Sequence, residues 1–153
     1  MTRNGGKRRP SLPPDPPRKE SPRTLPGLPD SGSSGERICW RFRHLDLEGP
    51  WSLGALGGGE LGELMKALAG FESMTMAEAF RGGHPGKDYD VEDLPTALAL
   101  DRLDAIGMGD LTKISRFRID GRGRLYGIRC ENVFHVIWWD PNHEVWPSEK
   151  RHT

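Results

Sequence analysis

Hydrophobic and polar positions repeat with two distinct periods along this chain. Between 37 and 47, Ile38, Trp40 and Phe42 share one parity and Arg37, Arg41 and Arg43 the other. That is the period of a strand with one buried face. Glu48, Gly49 and Pro50 end it, and Trp51 is placed to pack back as an anchor. The glycines between 54 and 59 form a loop. No lysine followed by serine or threonine is present there, so it is not a phosphate-binding loop.

The period then lengthens. Leu61, Leu64, Met65 and Leu68 fall at helical spacing, which predicts a short amphipathic helix over 60–69, with Phe71 entering the core. Ser73 or Thr75 can cap a second helix over 76–80, and Glu78, three residues after Thr75, makes the capping-box pattern. Residues 81–87, including His84, read as a loop. Leu94, Leu98, Leu103 and Ile106 predict a third helix over 90–106. Asp90 is its expected N-cap, with Glu92, Asp93 and Pro95 tolerated in the first turn.

Period two returns at 113–119. Phe117 and Ile119 share one parity and Arg116 and Arg118 the other, so the two arginines should leave the core together. A glycine-containing turn at 120–123 leads to a strand over 124–129, and Glu131-Asn132 leads to another over 133–139. The last is apolar on both faces apart from His135, as expected of a central strand. Asp140, Pro141 and Asn142 turn the chain into a final extended piece, 143–146, stopped by Pro147. The prediction is an α+β fold. An N-terminal strand and two or three helices precede a three- to four-stranded antiparallel sheet, one face of which the helices cover.

Composition changes this picture at the N-terminus. Residues 1–35 hold eight of the thirteen prolines and almost no β-branched or aromatic residues. Such a stretch cannot bury enough apolar surface to offset its conformational entropy. It is expected to be a disordered tail, with the folded domain at 36–153. Charge is zero in total but uneven. Lys/Arg against Asp/Glu runs seven to three over 1–35, seven to fourteen over 36–110 and eight to five over 111–153. A basic sheet on an acidic helical layer suits a polyanion on one side. The plainer alternative is ordinary solvated faces. Cys39 and Cys130 are isolated, and free, mostly buried thiols in a reducing, cytoplasmic setting are expected. No run of about 18 apolar residues is present, so no membrane span is expected. Cys130, His135 and His143 fit no regular metal-ligand spacing. Neither metal nor cofactor is anticipated.

Candidate chemistry gathers in the last third. Adjacent strands lie ~4.8 Å apart, so Arg116, Arg118 and Arg124 can converge on one phosphate. Their charge is fixed near neutral pH, which suits electrostatic stabilisation rather than proton transfer. His143, beside a turn at the sheet edge, can move protons near pH 7. Tyr126, Trp138, Trp139 and Trp146 interleave with the arginines, a combination suited to base stacking. At least one of Trp138 and Trp139 should be core, and Trp146 is better placed for a ligand.

Three short motifs carry a family resemblance: Arg116-Phe117-Arg118-Ile119, Gly123-Arg124-Leu125-Tyr126 and His143-Glu144-Val145-Trp146. With the order strand, helices, three strands, residues 37–146 resemble the RelE/ParE-type toxin superfamily of bacterial toxin–antitoxin systems. Trp146 stands where a tyrosine is usual. The resemblance implies a small endoribonuclease acting on mRNA, often on the ribosome, by attack of the 2′-OH on the adjacent phosphate. Arg124, His143 and Arg118 would be catalytic. Arg116, Trp146, Arg129 and Tyr126 would bind substrate, and a small antitoxin would cover the basic face. The competing expectation is a non-catalytic module on the same fold that binds RNA or protein.

Overall fold

The computed structural model describes residues 36–147, all within the unit Ser31–Thr153. The proline-rich tail, 1–35, lies outside the described residues. Three strands form the expected antiparallel meander: β3 (Lys113–Arg118), β4 (Arg124–Cys130) and β5 (Val133–Asp140). Two further strands extend it to five, in the order β1-β5-β4-β3-β2. β1 (Cys39–Arg41) runs parallel to β5, which makes the sheet mixed rather than wholly antiparallel. β2 (Gly86–Asp90) pairs antiparallel with β3.

β2 corrects two expectations at once. The sequence pattern predicts a loop over 81–87 and a helix beginning at Asp90. In the structure α3 spans only Ala97–Ala105, behind a short 3-10 turn at Val91–Asp93. Pro95 accounts for the late start, because a proline pushes the residue before it out of the helical region. Leu94 accordingly sits at φ −60°, ψ 118°. The preceding residues are then available to pair with β3. The two other helices match their predictions. α1 spans Gly58–Phe71, and α2, Met76–Phe80, is capped by Thr75, whose hydroxyl accepts from the Glu78 amide at 3.2 Å.

The helices do not share one face of the sheet. Leu64 and Leu68 of α1 and Met76 and Ala79 of α2 pack with Phe117, Leu125, Phe134 and Trp139 on the first face. Ala99 and Leu103 of α3 pack with Trp51, Ile114, Tyr126, Trp138 and Val145 on the second. The apolar character of β5 on both sides has this cause. Trp51 is buried and lies 5.2 Å from Trp138, ring to ring, as the anchor the sequence suggested. Asp46, also buried, accepts from Arg102 and from the Trp138 indole and so clamps α3 to the sheet.

A β-bulge makes the two cores compatible. Tyr126 pairs with Trp138 and Gly127 with Val136, so Ile137 is the extra residue. The extra residue shifts β5 by one position. Trp138 joins the second face while Trp139 joins the first. Gly127 is required where the bulged strand crosses closely, because a Cβ there would lie 2.1 Å from the His135 carbonyl oxygen.

Both cysteines are exposed and unpaired, against the expectation of buried thiols. Cys39 is the first residue of β1 and Cys130 the last of β4. Among the described residues, no helix is long and apolar enough to cross a membrane.

Candidate functional site

On β3, Arg116 and Arg118 share the parity of Ile114, and on β4, Arg124 shares that of Tyr126. All three therefore belong to the second face. α3 and the segment after β5 cover only part of that face. The remainder is a cleft of about 340 Å³ lined by Arg116 and Arg124, by Lys87 and Tyr89 from β2, and by His143, Trp146 and Pro147. Strand register explains the meeting, because Lys87 stands opposite Arg116 and Arg118 opposite Arg124.

The arginines are not equivalent. Arg116 is 6 % exposed, and two of its donors are engaged: Nε donates to the Tyr89 hydroxyl at 3.3 Å and Nη1 to the Pro85 carbonyl at 2.8 Å. It fixes β2 and the Tyr89 ring as well as adding charge. Arg124 is 8 % exposed. Its Nη1 donates to the carbonyls of Asp120, Gly121 and Gly123 in the β3–β4 turn. That turn is shaped by Asp120, whose carboxylate accepts from the amides of Arg122 and Gly123. The buried Nε of Arg124 has no partner. Burial, then the charges of Arg116 and Arg118, pull the Arg124 pKa below the ordinary arginine value. Arg118 is on the same face but exposed and not among the residues that line the cleft, and its Nε donates to the Asp120 carbonyl at 3.4 Å.

His143 is brought in by the turn after β5 rather than by a last strand. Burial, then Arg124, lowers its pKa from the usual histidine value, and Asp140 opposes that shift. The imidazole is therefore held toward its neutral form, able to accept a proton. Trp146 is half-buried, and its ring stacks on Tyr89 at 4.3 Å. Lys87 lies 5.1 Å from the centre of the Tyr89 ring.

Two further expected site residues fall elsewhere. Tyr126 is wholly buried beneath the arginines, its hydroxyl unpartnered and its pKa raised by burial. It cannot stack on a base. Arg129 has the opposite parity and lies on the first face. There it is bidentate to Asp88, at 2.8 and 2.5 Å, and covers the Phe80 ring at 4.4 Å. Conversely, Lys87 and Tyr89 were missed. Lys87 and Tyr89 alternate with Asp88 and Asp90, but the acidic run that follows imitates a helix start.

Asp90, Glu92 and Asp93 bring carboxylates within 4.8 Å of one another, outside the cleft lining. Asp90 is already paired with Lys113, and no cation is assigned to the group. The cleft offers fixed positive charge, one proton acceptor and an aromatic wall, which together suit a phosphate ester flanked by a planar group. Compared with protein-family models, with curated proteins and with solved structures, the chain matches none.

Proposed function

We propose that the cleft is the active site of a small endoribonuclease of RelE/ParE type, cleaving single-stranded RNA by attack of a 2′-hydroxyl on the adjacent phosphate. The observation that carries this reading is the meeting, in one cleft, of the His143 imidazole, disposed toward its neutral form, with the Arg116 and Arg124 guanidiniums. The motifs around 116–119, 123–126 and 143–146 support it as a resemblance. His143 takes the 2′-OH proton as the new P–O2′ bond forms and the P–O5′ bond breaks. The 5′-oxygen takes a proton from water, leaving a 2′,3′-cyclic phosphate and a 5′-hydroxyl end. Arg124 stabilises the charge that builds on the phosphoryl oxygens, with Arg118 beside it. Arg116 and Lys87 hold neighbouring phosphates, and the outer face of Trp146 receives a base. A small acidic antitoxin is the partner this reading implies for the basic cleft, in a bacterial cytoplasm.

A second reading, a binding module without catalysis, is favoured by one feature. Among the described cleft-lining residues His143 is the one histidine, and no carboxylate accompanies it to protonate the leaving group. One experiment separates the two. The purified protein is incubated with unstructured RNA, and the products are examined for cyclic phosphate ends. Cleavage that disappears in Arg124→Ala and His143→Ala supports the nuclease. Intact RNA, with harmless induced expression, ends that reading, and salt-dependent binding without cleavage leaves the module.

A further inference from the structure

We propose that Asp140 is a positioning residue, whose buried carboxylate folds the turn after β5 so that the His143 imidazole is held in the cleft beside Arg124. The proposal rests on the reading of the cleft as a phosphodiester site. Asp140 is the last residue of β5 and is completely buried. It stands directly opposite Arg124 in the β4–β5 pairing. Both of its carboxylate oxygens are used by the backbone that follows. Oδ1 accepts from the Glu144 amide at 3.0 Å and Oδ2 from the Val145 amide at 2.8 Å.

Each of these two bonds closes a turn that contains His143. Its φ is +57°, in the left-handed region that a residue with a side chain adopts only when its surroundings hold it there. The far side of the turn is fixed as well. Val145 is fully buried in the second core, and the Thr96 hydroxyl, at the start of α3, meets the carbonyls of Val145 and Glu144 at 2.9 and 3.2 Å. The Trp51 indole donates to the Glu144 carboxylate at 3.3 Å. Among the described residues, none of Asp140, Thr96, Glu144 and Val145 lines the cleft. Its product is the placement of one imidazole among Arg116 and Arg118 of β3, Arg124 of β4, Lys87 of β2 and Asp140.

The sign of a titration separates positioning from a simple charge effect. Asp140, as a negative neighbour, favours the protonated imidazole. If charge were its whole role, Asp140→Asn would lower the His143 midpoint further. If it positions the ring, the loosened turn releases His143 from burial and from three guanidiniums, and the midpoint rises toward the ordinary 6.5.

The experiment follows the His143 ring protons by NMR across pH in the full chain, for wild type, Asp140→Asn and Thr96→Ala. The last removes a tether without changing charge. The expected result is a rise in both variants, larger in Asp140→Asn, with RNA cleavage down ~10²-fold in Asp140→Asn through misplacement of the proton acceptor. A fall, or no movement, in Asp140→Asn overturns the proposal. If that variant does not fold, Thr96→Ala decides by the same criterion. Upward shifts in a protein whose wild type leaves RNA intact would retain the positioning role and reject the nuclease.

Discussion

The indole of Trp146 lies on the phenol of Tyr89, ring centroids 4.3 Å apart and planes 22° from parallel. Lys87 approaches the same phenol, and Arg116 holds its hydroxyl. Tyr89 is thus a support, and Trp146 is the ring with a face to offer. Trp146→Ala should weaken RNA binding by about 1–3 kcal/mol, the range for loss of one base-stacking ring. Tyr89→Ala should weaken it less, and Tyr89→Phe least, because the stack survives the loss of one hydrogen bond. Titration of a fluorescent oligonucleotide at fixed salt gives the order. Equal effects of all three would contradict a supporting role for Tyr89.

Arg124 and Arg129 lie on one strand but face opposite sides of the sheet, so they should behave differently. Arg124→Ala should cut cleavage ~10²–10³-fold, as loss of a charge-stabilising donor does. Arg124→Lys should recover little, because an ammonium cannot reproduce the planar fork. Arg129→Ala should leave cleavage within about twofold and cost about 0–1 kcal/mol of stability, as expected for an exposed ion pair with Asp88. A matched pair of rate and melting measurements tests both claims. An Arg129 variant as inactive as Arg124→Ala would relocate the site.

Cleavage should depend on pH through His143. The base form is the active one, so the rate should rise as pH increases through a midpoint below 6.5 and then level off. His143→Ala should remove this limb together with most of the rate. The same group gives a stability effect of definite sign. Its folded pKa lies below its unfolded one, so its contribution is complete above the unfolded value and is lost as pH falls through the folded value. Asp46 acts in the same sense at lower pH. Burial alone would raise its pKa, but the Arg102 and Trp138 hydrogen bonds outweigh that and hold it down. A rate profile between pH 5 and 8, on the order of the histidine range, reads the first effect. Acid unfolding of wild type and Asp46→Asn reads the second, with the variant expected to have less stability to lose below the carboxylate range.

Gly127 should be intolerant of any side chain. A Cβ there meets backbone, the His135 carbonyl, rather than a side chain that could swing away. Gly127→Ala should cost about 1–3 kcal/mol, the range for forced overpacking. It should also disturb the pairing of Tyr126 with Trp138, visible as a change in near-ultraviolet circular dichroism. Gly121→Ala, with open space at its Cβ, is the control and should be close to neutral. If the two variants melt alike, the bulge is softer than its geometry implies.

The sequence alone determined the local features of this protein. Alternation at 113–119 put Arg116 and Arg118 on one side of a strand, helical spacing found α1, the cap at Thr75 found α2, and the turns at 120–123 and 131–132 found the meander. These features are legible because each depends on neighbours a few residues away. Only the tertiary structure decided that Gly86–Asp90 is an edge strand carrying Lys87 and Tyr89, that α3 covers the face opposite α1, that Tyr126 is core and that Arg129 is turned away from the cleft. Strand pairing across dozens of residues and a single bulge in β5 fix those outcomes. Because neighbouring residues on a strand point to opposite faces, one inserted residue reassigns every side chain beyond it.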